Sequence, residues 1–168
     1  MTKKLYFVPL MLSLFLGSET HKSFSQPKTQ EKTLETRLEN SEQKKGQKIL
    51  IYKSRGKLYL YESGKVIDSV RVSFGFGEYF GGGQKTKQGD KKTPEGEYFV
   101  TEKHQSKKFL YFIGINYPNL EDAKMGLEEK LITQEQYERI AKANKNKTTP
   151  LQNTSLGGAI GIHGQGKF

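Results

Sequence analysis

The chain contains no cysteine and no tryptophan in its 168 residues. Within these residues there is accordingly no disulfide, no Cys-ligated zinc, no iron–sulfur cluster and no thiol nucleophile. Apolar residues are scarce as well, at 33% of the chain with a mean hydropathy of -0.74. Part of such a chain is expected to stay solvated. No apolar run reaches the roughly 20 residues that a membrane-spanning helix needs. Acidic residues are outnumbered, 18 against 28 Lys and Arg, which leaves a formal net charge of +10. That balance points to anionic partners. No helix-turn-helix, zinc-finger or RNA-binding pattern accompanies it, so nucleic acid is not the expected partner. The length fits one domain of ordinary size with a tail.

What is present begins with Lys3 and Lys4, followed by an uncharged run of 12 residues from Leu5 to Leu16. A basic start and a short apolar core read as a secretory signal peptide over residues 1–25. Cleavage is expected after Ser25 or near Gly17–Ser18. Pro9 inside the run argues against a spanning helix. The expected location is therefore outside the cytoplasm, in a periplasm or cell wall, where a basic chain meets anionic envelope polymers. Residues 26–47 hold two aliphatic side chains and no aromatic ones, and read as a polar disordered linker with at most a frayed helix over Thr33 to Asn40.

From Lys48 the pattern becomes that of a β-rich domain running to Phe168. Ile49-Leu50-Ile51-Tyr52 is a β-type run, Ser54-Arg55-Gly56 a turn, and Leu58 and Leu60 alternate with Tyr59 and Tyr61. After a second turn at Glu62–Lys65, Val66, Val70, Val72 and Phe74 predict a half-buried strand, which makes an antiparallel meander. The Gly-rich stretch Gly75 to Lys92 reads as a flexible loop. Gly96–Thr101 and Phe109–Ile115 predict further strands. Thr133 is a candidate N-cap with Gln136 three residues on, so a single short helix is expected over Gln134 to Asn144, with Tyr137, Ile140 and Ala141 on one face. Leu156 to His163 predicts a buried strand ending at a Gly-rich turn.

Most chemistry-bearing patterns fail on spacing. Gly81-Gly82-Gly83-Gln84-Lys85-Thr86 has Gln84 between Gly83 and Lys85 and no helix pattern after it, so it is not a phosphate loop. The histidines His21, His104 and His163 show no ligand spacing, and neither a metal nor a cofactor is expected. Glu95 and Glu97 alternate at a strand entry and are expected to face water. No Gly-x-Ser-x-Gly elbow occurs. His163 stands apart, because a strand holds it rigidly while Gly164-Gln165-Gly166 leaves space beside it.

Three blocks of residues 48–168 resemble the L,D-transpeptidase catalytic domain family, bacterial cysteine enzymes that cross-link or remodel peptidoglycan. The first is Gly89-Asp90-Lys91-Lys92-Thr93-Pro94-Glu95-Gly96-Glu97-Tyr98. The second is Ile115-Asn116-Tyr117-Pro118-Asn119 with Asp122 and Gly126. The third is Leu156 through His163-Gly164. The resemblance implies a mainly β, mixed antiparallel sandwich or barrel-like fold with one short helix. It implies stem peptides of peptidoglycan as the partner, no cofactor, and a monomer. It makes His163 the general base that generates a Cys thiolate, with Gly164 and Tyr117 as substrate-contacting residues. In the family that thiolate forms an acyl-enzyme which a second stem's amine resolves. The chain departs from the pattern where the Cys segment is due: five residues follow His163 and none is Cys. The expectation is an exported transpeptidase domain, incomplete at its C-terminal end and inactive as written. A truncated gene product, a fragment of a longer protein, and a non-catalytic basic protein that binds peptidoglycan are the alternatives this leaves.

Overall fold

Ile49-Leu50-Ile51-Tyr52 lies in the middle of a sheet, buried on both faces, with exposures of 8%, 0%, 3% and 1%. In the computed structural model, which describes residues 4–8 and 46–164, the strands are β1 (Lys4–Val8), β2 (Gln47–Tyr52), β3 (Lys57–Glu62), β4 (Lys65–Arg71), β5 (Gly96–Ser106), β6 (Leu110–Ile115) and β7 (Gly161–His163). Their order is β4-β3-β2-β1-β5-β6-β7. Neighbours are antiparallel except β1 and β2, which run parallel. Helices α1 (Leu120–Glu128) and α2 (Gln134–Lys145) follow β6. The linker expected over residues 26–47 lies outside the described residues up to position 45, and of the expected signal peptide over residues 1–25 only Lys4–Val8 is described.

The mainly β, antiparallel architecture agrees with the sequence reading, and so does the Thr133 cap. The Thr133 hydroxyl accepts from Gln136 N at 3.2 Å, and the Gln136 side chain accepts from Thr133 N at 3.0 Å. Ile140 is fully buried with Ala123, Ile132 and Leu156, and Tyr137 packs against them.

Three expectations are corrected. The domain has two helices where one was expected. The extra helix, α1, starts from a second capping box, Asn119 with Asp122, directly after the Pro118 break. Gly126 in its interior weakens the sequence pattern, yet a Cβ there would sit 2.7 Å from Leu156 Cδ2, so packing selects the glycine. The strand expected over Leu156–His163 shrinks to Gly161–His163. Gly157 and Ala159 have φ of 84° and 53°, outside the strand region, and Gln152 Oε1 captures the Ala159 N–H. The strand through Val66–Phe74 ends at Arg71 and is exposed throughout, because β4 is the outermost strand. Only Val72 and Phe74 turn back onto the core of Ile49, Ile51, Tyr98, Ile115 and Tyr117.

Candidate active site

The His163 end of the sheet is built by three adjacent strands. In register, His104 on β5 pairs with Phe112 on β6, and Phe112 pairs with His163 on β7. Directly opposed residues share a face, so two histidines 59 positions apart in sequence lie in one row across the sheet. The Phe112 ring lies between them, 5.5 Å from the His104 ring. Glu102 Oε2 stands 3.8 Å from His104 Nδ1 on the same face.

Glycine admits Phe112 to this row. A Cβ at Gly161 would lie 2.6 Å from Phe112 Cζ and 2.5 Å from the Ile113 carbonyl oxygen. Gly161→Ala is expected to push the ring out and cost about 1–3 kcal/mol. A thermal unfolding midpoint unchanged from wild type would contradict that packing.

The β5–β6 hairpin places a second ring on the imidazole. Ser106 Oγ accepts from Lys108 N and Phe109 N, both at 3.2 Å, and Leu110 adopts φ 63°. These restraints bring Phe109 face to face with His163, centroids 3.9 Å apart at 24°. The other imidazole contact is from Nδ1 to the Gly164 carbonyl at 3.0 Å. A carbonyl only accepts, so this contact puts the proton on Nδ1 and leaves the Nε2 lone pair available as a base. His163 and Gly164 are both exposed. An exposed, stacked and tautomerically defined imidazole can accept a proton from a nucleophile that reaches Nε2.

The other predicted site residue, Tyr117, is placed elsewhere. It is 1% exposed, its hydroxyl donates to the Leu156 carbonyl at 3.0 Å, and its ring packs 6.3 Å from that of Tyr98. His163 is paired with Phe112 on β6, and Tyr117 follows the end of that strand in the core cluster against which Ile162 packs.

The first block forms an internal clamp. Asp90 Oδ1 receives Lys85 Nζ at 2.8 Å, and its carboxylate also accepts the N–H groups of Thr86, Lys87 and Lys92. Burial alone would raise the Asp90 pKa, but the Lys85 ammonium and the three N–H groups hold it below the usual carboxylate range. Glu95 does not face water as expected. Its carboxylate is 2.8 Å from Lys53 Nζ, which is also 2.8 Å from Glu78 and is nearly shut off from solvent, its side chain 3% exposed. Lys53 Nζ further donates to the carbonyls of Gly83 and Thr93 at 3.1 and 3.0 Å. The expected flexible loop is therefore pinned at Gly83, at Lys85 and at Gln84, whose side chain bridges the Glu95 backbone and Asp122.

The second block is equally internal. Asp122 accepts from Tyr98 Oη, Asn119 N and Gln84 Nε2 at 2.9, 2.9 and 3.1 Å. Burial raises its pKa to about 6, against the lowering by the Asn119 N–H and the Tyr98 hydroxyl. The same burial and the Asp122 charge push the Tyr98 and Tyr117 hydroxyls upward. Asn116 Oδ1 takes the Phe99 N–H, and Asn119 Nδ2 donates to the Glu97 carbonyl, tying α1 to β5.

A cavity of about 760 Å³ opens between β5, α1 and α2, lined by Glu97, Phe99, Asn116, Tyr137, Asn144 and Lys147 among others. It lies at the far end of β6 from His163 and contains no nucleophile paired with a base, so the imidazole remains the better candidate for chemistry. Among the described residues no group of three His, Asp or Glu side chains could hold a metal ion, and no helix is long and apolar enough to cross a membrane. The sequence reading missed Lys53, His104 and Phe109. A lysine in a turn, an isolated histidine and a hairpin phenylalanine carry no local mark of the partners they acquire.

Comparison with known families gives one finding: the family model described as YkuD, the L,D-transpeptidase catalytic domain, matches residues 46–168. No curated protein and no solved structure matches the chain.

Proposed function

From the premise that the chain belongs to the L,D-transpeptidase catalytic domain family, whose members act on peptidoglycan peptides, we propose that it is an exported stem-peptide-binding domain with His163 as its general base. The observation that carries this reading is the exposed imidazole at the end of β7, fixed between the Phe109 ring and the Gly164 carbonyl. In the proposed chemistry Nε2 accepts a thiol proton, the thiolate attacks a stem-peptide carbonyl, and the departing amine takes that proton as the thioester forms. These 168 residues hold the base and no thiol, so alone they form no thioester. Export rests on the basic start and apolar run at Lys3 to Leu16.

The test uses the purified 168-residue chain. It is expected to co-sediment with isolated peptidoglycan sacculi at moderate salt and to be released by soluble stem peptide. After incubation with a carbapenem-type β-lactam its intact mass is expected to stay unchanged. A covalent adduct would overturn the reading that no residue of this chain acts as the nucleophile, and failure to sediment would overturn the binding role. The charge of +10 favours one second reading, a basic protein that holds anionic envelope polymers. Under that reading salt and polyglutamate release the chain and stem peptide does not.

A further inference from the structure

The sheet manages its outer edges and leaves its middle exposed to loss of one strand. At one outer edge β4 carries Lys65, Asp68 and Arg71 and is exposed along its length. At the other, β7 is three residues long. Charge and shortness are the usual protections against unwanted strand pairing. β2 has neither over its central run. Ile49 to Tyr52 is apolar and buried on both faces, the pattern of an interior strand with a neighbour on each side. On one side that neighbour is β3; on the other it is β1, with Leu5, Tyr6 and Phe7 in register with Ile49, Leu50 and Ile51. The first part of β5 depends on the same strand. Gly96, Glu97, Tyr98 and Phe99 pair with Phe7, Tyr6, Leu5 and Lys4, whereas β6 pairs with β5 only from Val100 onward. Among the described residues, all ladder bonding between the β2–β3–β4 half and the β5–β6–β7 half thus passes through five residues near the start of the chain.

Those five residues lie in the segment that the sequence marks as a leader, and Leu5 to Val8 belong to its uncharged apolar run. That run serves export and equally suits an interior strand. We propose that the space between β2 and β5 is a peptide-binding seat, occupied here by Lys4–Val8, that accepts an extended strand, apolar after its first residue, running parallel to β2 and antiparallel to β5. Without an occupant, β2 and β5 face each other across two strand spacings, about 10 Å, too far to bond directly. Main-chain hydrogen bonds to both neighbours supply the affinity, as in other cases of strand addition. The register sets selectivity. Apolar residues are required opposite Ile49 and Ile51, and the position paired with Gly96 meets a strand that offers no side chain there. Under the export reading, cleavage after Ser25 severs the occupant from the domain, and the seat then retains the fragment or exchanges it for another strand of the same character.

The experiment places a site-specific protease sequence between Gln30 and Asn40 of the full chain and cuts it after folding. The N-terminal fragment is expected to co-elute with the domain and to exchange for a labelled synthetic peptide spanning residues 2–10. The same peptide carrying Phe7→Pro is expected to bind at least about tenfold more weakly, because in a strand bonded on both edges a proline always removes a ladder bond. Separation of the fragment with unchanged amide protection at Ile49–Ile51 and Glu97–Phe99 would overturn the proposal. Should the cut chain precipitate, the uncut Phe7→Pro chain decides: selective loss of amide protection on β2 and the start of β5 supports the seat, and unchanged protection overturns it. No peptidoglycan is present in either arm, so the result is independent of the proposed activity.

Discussion

Lys53→Met is expected to destabilise the domain by about 3–5 kcal/mol, the usual consequence of stranding buried charge. The Lys53 side chain is 3% exposed and its ammonium is 2.8 Å from both the Glu78 and Glu95 carboxylates, which are themselves 14% and 10% exposed. Methionine fills the same volume, so the loss is electrostatic and not steric. Two carboxylates would remain near each other without their cation, and the carbonyls of Gly83 and Thr93 would lose their donor. The loss is a large share of the 5–15 kcal/mol that holds an ordinary domain folded. The triple variant Lys53→Met, Glu78→Gln, Glu95→Gln removes the stranded charge and is expected to regain more than half of the loss. Urea denaturation measures both. A single variant within about 1 kcal/mol of wild type would show that water or rearrangement already compensates the carboxylates.

The second large effect concerns acid stability. The Asp122 pKa is raised in the folded protein from its ordinary 3.8 to about 6. The folded state therefore binds this proton more tightly than the unfolded state does. The stability it contributes is fully present below its ordinary value and is lost as pH rises through about 6. A shift of that size corresponds to about 3 kcal/mol. Other carboxylates act in the opposite direction: Asp90 is held low by Lys85 and backbone N–H groups, and its stabilisation disappears in acid. The informative quantity is consequently the difference between wild type and Asp122→Asn, which resembles the protonated form in shape. Wild type is expected to lose about 3 kcal/mol relative to that variant between roughly pH 4 and pH 7. Parallel stability curves across this window would mean that the N–H and hydroxyl donors from Asn119 and Tyr98 stabilise the carboxylate enough to cancel burial.

These two groups illustrate where sequence reading stops. Asp122 and Glu95 both fall within recognised blocks, yet their surroundings came as corrections. Glu95 was expected in water and lies against Lys53. Asp122 caps a helix that the sequence did not suggest and also receives Gln84 from the Gly-rich loop. Tyr117, named as a substrate contact, is a core residue with its hydroxyl engaged. By contrast, the β-type run Ile49–Tyr52, the alternation Leu58–Tyr61 and the Thr133–Gln136 box were readable and are present, because each is decided within a few residues.

Strand periodicity, the Thr133 cap, the place of His163 at a strand end and the lack of cysteine were all available from residue order alone. Such features depend on backbone geometry over one or two turns or on composition, and neither requires knowledge of the rest of the chain. The pairing of Lys53 with Glu78 and Glu95, the row His104–Phe112–His163, the Phe109 stack and the seating of Lys4–Val8 between β2 and β5 emerged only on folding. They are contacts between segments tens of residues apart. Which partners meet is set by how the sheet closes and what it buries, and no short stretch of sequence carries that information.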